Sequence, residues 1–145
     1  MKLTSRDVVS FFNSPPKGII GVLIYGNDPM RVADKRHQLI KSLLGSNAAK
    51  EMRLARISRE NLKKEPEQAI DLCKAQGFFP GERALLIEEG NETITEIIIK
   101  AVEAWRDGDA TIVVTAGSLK PSSGLRKFFE QKKNIYSLPV YDNPM

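Results

Sequence analysis

Several groups of residues in this chain of 145 have types and spacings that could carry chemistry. The loop Gly26-Asn27-Asp28-Pro29-Met30-Arg31 follows an apolar run and precedes a helical pattern, the place where a parallel α/β fold holds phosphate at a helix N-terminus. A Walker A loop needs a second glycine and a Lys-Ser/Thr pair, so that backbone N–H groups cradle the phosphates, the lysine reaches the outer ones and the hydroxyl holds Mg²⁺. Those residues are missing here, and Pro29 deletes a donor. The loop has the position of a phosphate site without its residues, so ATP hydrolysis is not expected. Glu88-Glu89 closes a second apolar run, where an acidic pair orders Mg²⁺ and water in nucleotide hydrolases; with no phosphate loop it reads as two solvated carboxylates at a strand end. Thr115 ends a third run and could sense a phosphate, although a threonine that closes a strand is ordinary.

Phe78-Phe79 is of another kind. The pair lies between Gly77 and Pro80-Gly81, outside any helical or strand periodicity, where two adjacent rings do not easily point into one core. An exposed pair on a short loop would fit an apolar pocket on a partner at little entropic cost, whereas a pair packed over the next strand would be core; both readings stand open on the residues alone. The cluster Lys120, Arg126 and Lys127, a basic loop entering a helix, could meet a phosphate backbone or an acidic partner, with a solvated face as the default. His37 sits beside Lys35, Arg36 and Lys41 and reads as a surface histidine, and Cys73 on an apolar stripe reads as an inert core thiol.

The elements that must position these groups alternate along the chain. A short helix carries Val8, Phe11 and Phe12 on one stripe and stops before Pro15-Pro16. Ile19 to Tyr25 predicts a strand buried on both faces. Asp28 as N-cap with Pro29 at the first position predicts a helix up to Gly45. Met52 to Ile57 is a half-polar strand, Pro66 to Ala75 a short helix, and Ala84 to Ile87 an apolar strand. Thr93 with Glu96 predicts a capping box for a helix running to Trp105. A strand from Ala110 to Thr115, a helix from about Ser122 and a last strand, Ile135 to Leu138, complete the series. Strands and helices at this spacing predict an α/β fold with a parallel sheet of about five strands flanked by helices.

Composition sets the outer bounds. The net charge of 22 − 18 = +4 is spread along the chain, in Arg53/Arg56/Arg59, Lys63/Lys64, Lys120/Arg126/Lys127 and Lys132/Lys133; it permits nucleic-acid contact without requiring it. One cysteine excludes an internal disulfide framework, and one histidine leaves too few soft ligands for a zinc site. The longest apolar run, 19–25, is far short of a membrane span and no signal-peptide pattern opens the chain, which predicts a cytoplasmic protein without a membrane partner. No repeat or linker divides residues 1–145, which read as one domain.

The order of these pieces resembles the N-terminal domain of the delta subunit of bacterial DNA polymerase III, the clamp-loader subunit that opens the sliding clamp. The matching segments are Val22-Leu23-Ile24-Tyr25-Gly26-Asn27-Asp28-Pro29, then Cys73-Lys74-Ala75-Gln76-Gly77-Phe78-Phe79 with Arg83-Ala84-Leu85-Leu86, then Ile112-Val113-Val114-Thr115 leading through Leu119-Lys120 to Leu125-Arg126-Lys127-Phe128-Phe129. The resemblance implies an AAA+-like domain that has lost nucleotide binding, with no cofactor and no catalysis of its own, in a subunit of the polymerase III holoenzyme. It implies that Gln76, Gly77, Phe78 and Phe79 bind the beta sliding clamp, where the family often carries an aliphatic residue in place of Phe78. It also implies lid and collar domains beyond this chain, through which the full subunit meets the other clamp-loader subunits, and DNA contact only indirectly. A nucleotide-binding α/β enzyme and a DNA-binding module using the Lys120 cluster are the alternatives.

Overall fold

The structure is a computed structural model that describes residues 1–48, 52–75 and 81–140. Its elements are α1 (Ser5–Asn13), β1 (Gly21–Tyr25), α2 (Pro29–Leu44), β2 (Leu54–Ser58), α3 (Arg59–Lys64), α4 (Gln68–Lys74), β3 (Ala84–Gly90), a 3₁₀ turn (Glu92–Ile94), α5 (Thr95–Ala104), β4 (Thr111–Ala116), α6 (Gly124–Gln131) and β5 (Ile135–Pro139). The strands form one sheet in the order β2-β3-β4-β1-β5, and every pairing is parallel. The predicted α/β class and the five strands are therefore observed.

Parallel neighbours need crossover helices, and right-handed crossovers assign each helix to a face. The connection from β1 to β2 runs one way along the sheet and the later ones run the other, so α2 must lie opposite α3 to α6. The core divides accordingly. Val22, Ile24, Leu86, Val113 and Leu138 pack with Phe11 of α1 and with Val32 and Leu39 of α2. Leu23, Leu85, Ile87, Ile112 and Val114 pack with Leu62, Cys73, Ile98, Ala101, Leu125 and Phe129 from α3 to α6. β1 is buried at all five positions because helices cover both of its sides.

Several boundaries differ from the sequence expectations for identifiable reasons. The half-polar segment 59–64 forms α3, a helix the periodicity did not suggest: Ser58 caps it by accepting from the Asn61 N–H at 3.3 Å, and Leu62 is its one buried residue. The Thr93–Glu96 capping box does not form. Asn91 Oδ1 instead takes both the Thr93 N–H at 2.9 Å and the Thr93 hydroxyl at 2.5 Å, which winds a 3₁₀ turn and moves the start of α5 to Thr95 with no side-chain cap. β3 continues past Ile87 to Gly90 through an irregularity in its pairing with β4, with Glu89 in the left-handed region at φ 59°.

Gly26 shows how tightly β1 hands over to its loop. The Val140 N–H donates to the Tyr25 carbonyl at 2.7 Å, and a Cβ on Gly26 would run into the Val140 carbonyl oxygen. The obstacle is backbone and cannot rotate away. Gly26→Ala is expected to destabilise the fold by about 1–3 kcal/mol, read as a lower urea midpoint at unchanged slope.

Candidate functional site

The chain reverses its direction of travel between β1 and β4, so the crevice beyond their C-terminal ends is where an open α/β sheet places a ligand. A cavity of about 320 Å³ lies there, lined by Gly26, the first turns of α2 from Pro29 to Arg36, Arg59, Glu89, Gly90 and the end of β4 from Thr115 to Gly117. Thr115, in register with Ile24, shares the α2 side with Val113 and reaches this cavity as a buried residue. The Gly26 loop, Glu89 and Thr115, each placed by the sequence at the end of its own apolar run, meet at this one end of the sheet.

The groups that would hold a phosphate are already engaged. At the N-terminus of α2, Asp28 Oδ1 accepts from the Met30 N–H at 3.0 Å and the Arg31 N–H at 3.4 Å, Arg31 Nε pairs with Asp28 Oδ2 at 3.4 Å, and Pro29 has no N–H to give. The next helix end at this edge repeats the arrangement. Glu92 receives the Ser123 hydroxyl, the Gly124 N–H at 2.8 Å and the Leu125 N–H at 3.3 Å, while Ser123 Oγ accepts from the Arg126 N–H at 3.1 Å. A carboxylate of the chain itself thus stands where each helix dipole favours an anion. The Ser123 bond, against the smaller opposing effect of burial, holds the Glu92 carboxyl below its usual range, with Gly124 and Leu125 adding to it.

The two residues of the acidic pair are placed differently. Glu88 is not simply solvated: Arg36 approaches it at 3.5 Å and Arg56 at 3.9 Å. Glu89 is exposed, and its carbonyl accepts from Arg59 Nη1 at 2.8 Å. Among the described residues, no group of three or more His, Cys, Asp or Glu could hold a metal ion.

The basic cluster divides. Lys120 and Lys127 are exposed, but the Arg126 guanidinium is half-buried, bonded to Glu130 at 3.0 Å and to the Leu119 carbonyl at 3.2 Å, and stacked over the Tyr25 ring at 5.3 Å. That leaves a thinner basic surface than the sequence offered. His37 is exposed, and burial, followed by the nearby Asp109 charge, pushes the Cys73 thiol up to about 12, so it stays protonated and unreactive. No helix among the described residues is long and apolar enough to cross a membrane.

Gln76, Gly77, Phe78 and Phe79 lie outside the described residues. Their flanks do not. They sit at the opposite edge of the sheet, where α4 ends and β3 begins. Arg83 Nη1 donates to the carbonyls of Cys73, at 3.3 Å, and Ala75, and Arg83 Nη2 to that of Gly108 at 2.7 Å. Arg53 donates to the carbonyls of Glu82 and Leu44, both at 3.0 Å. Arg53 reads in the sequence as part of a spread surface charge, yet it is 8% exposed. Nothing local marks it or Glu92: each reaches its partners only through the tertiary fold.

No family model matches the chain, and no curated protein matches it.

Two outcomes follow from the filled helix ends. Titration with ATP and Mg²⁺ is expected to give no saturable heat at millimolar nucleotide. Glu92 has a lowered folded pKa, so the stability it contributes is present above the ordinary glutamate range and is lost as pH falls through the folded value. Glu92→Gln should therefore unfold at lower temperature than the wild type at neutral pH, and the gap should close on acidification below about pH 4.

Proposed function

We propose that this chain is a clamp-binding domain of a clamp-loader delta subunit, an AAA+-like fold without a nucleotide, which docks Phe78 and Phe79 in an apolar pocket of the beta sliding clamp. The observation that carries the reading is the self-filled ligand edge. The strand order and the crevice are those of a sheet suited to a nucleotide, while Asp28 takes the N–H groups at the start of α2 that a phosphate there would need. A fold that keeps the frame of a nucleotide site and stops it with its own carboxylate suits a subunit that works by binding a protein. The segments that resemble the family support the same reading, since they fall on β1 with its loop, on both flanks of residues 76–80, and on β4 through α6.

On this reading the domain has no catalysis of its own and serves the polymerase holoenzyme by loading its clamp. Docking the Phe pair gives affinity, and opening requires that the surface around it fit the distorted ring interface better than the closed one, because a ligand shifts an equilibrium only by its preference for one state. The full subunit would meet the other loader subunits through its further domains and DNA only indirectly. A DNA-binding role has less support, because Arg126 is committed to Glu130, Leu119 and Tyr25.

Binding of the chain to the sliding clamp of the same organism, measured by surface plasmon resonance, tests the proposal. Phe78→Ala with Phe79→Ala should cost about 2–4 kcal/mol, roughly 30- to 700-fold in Kd. Equal affinity of the double variant and the wild type would sink it.

A further inference from the structure

We infer that the crevice beyond β1 and β4 binds a small carboxylic acid with an apolar body, held by Arg36, Arg59 and the Thr115 hydroxyl; the inference goes beyond the function proposed above and does not depend on it. Asp28 stops the start of α2, yet the cavity of about 320 Å³ beside it is already formed and has the size of a small ligand pocket. Pro29, Val32, Ala33 and Arg36 line it from α2 at the spacing of one helical stripe, three apolar groups followed by a cation. Gly26, Gly90 and Gly117 line it from the strand ends and bring no side chain into the space.

Thr115 supplies a polar contact at depth. It is 8% exposed and lines the cavity, and its hydroxyl has no hydrogen-bond partner among the described residues. Thr111, the other buried threonine of β4, donates its hydroxyl to the Ile19 carbonyl at 3.3 Å. A hydroxyl this deep needs a partner, and the cavity that Thr115 lines is where a ligand group can reach it.

The charges on the lining select the class of ligand. Arg36 and Arg59 stand against Glu89, which leaves the lining with a surplus of one positive charge. Arg36 makes one long contact, to Glu88 at 3.5 Å, and Arg59 donates once, to the Glu89 carbonyl at 2.8 Å. A guanidinium carries several N–H donors in one plane, so both arginines have donors to spare, and that plane matches a carboxylate. A phosphate dianion fits less well. It exceeds the surplus charge, meets Glu89, and finds the Met30 and Arg31 N–H groups already taken by Asp28.

Titration of the isotope-labelled protein with acetate, butanoate and benzoate, followed by amide chemical shifts, tests the inference. The shifts are expected to saturate at residues of the cavity lining, with a Kd for benzoate of about 1–10 mM and weaker binding as the apolar body shrinks to acetate. Benzamide, which keeps the ring and lacks the charge, should bind about tenfold more weakly, and Arg59→Gln should weaken benzoate by about the same factor. Thr115→Val should weaken benzoate about fivefold while leaving the urea midpoint unchanged or raising it, the reverse of what a hydroxyl needed by the fold would show. Should circular dichroism show that Arg59→Gln does not fold, Arg36→Gln decides by the same comparison. Inorganic phosphate or benzamide binding as tightly as benzoate, shifts that do not saturate or that map away from the cavity, or folded variants with unchanged benzoate affinity would each overturn the inference. None of these outcomes bears on the clamp reading, which is decided by the Phe78 and Phe79 variants.

Discussion

Parallel strands joined by helices send every helix back against the strand direction, so the N–H groups left over at helix starts collect at one edge of the sheet and the C=O groups left over at helix ends collect at the other. Neither set can be buried without partners. This chain meets much of the constraint with charge. Carboxylates of Asp28 and Glu92 take N–H groups at the starts of α2 and α6, and Arg53, Lys74 and Arg83 take the carbonyls of Leu44, Ala104, Cys73 and Ala75 at the N-terminal edge. Each sign sits where the helix dipoles favour it. The sheet and its two apolar layers depend on that arrangement, because without it both edges would expose or bury unpaired backbone.

The same arrangement explains what was legible in the residues. Local signals are legible: the Asp28-Pro29 start and Gly45 stop of α2 and the apolar runs of β1 and β4 are features of neighbouring residues and appear as expected. The Thr93–Glu96 box failed because a closer competitor, Asn91, offers its oxygen to Thr93 first. Segment 59–64 carries no helical periodicity in its residues, because Leu62 is its single buried position. Glu92 and Arg53 were not legible at all. Their partners lie 31 to 33 and 9 to 29 residues away, and only the folded sheet edge brings them together.

A ligand site in an open α/β sheet is a place where the fold leaves its leftover N–H groups unpaired until a ligand arrives. Filling that place from within has a cost and a gain. The cost is the loss of nucleotide as a source of stability or as a switch, since a ligand stabilises only a state it binds. The gain is a frame whose shape does not wait on any ligand. For a domain that acts by presenting one segment to a protein partner, such constancy matters more than responsiveness, because each degree of freedom lost on docking subtracts from affinity. The two edges differ: at the C-terminal edge Asp28 caps α2 next to a cavity of about 320 Å³, while at the N-terminal edge Arg53 and Arg83 hold the carbonyls of Glu82 and Ala75. On the proposed function, the domain offers its partner a surface that answers no nucleotide, and any switching must come from the partner's preference between its own states.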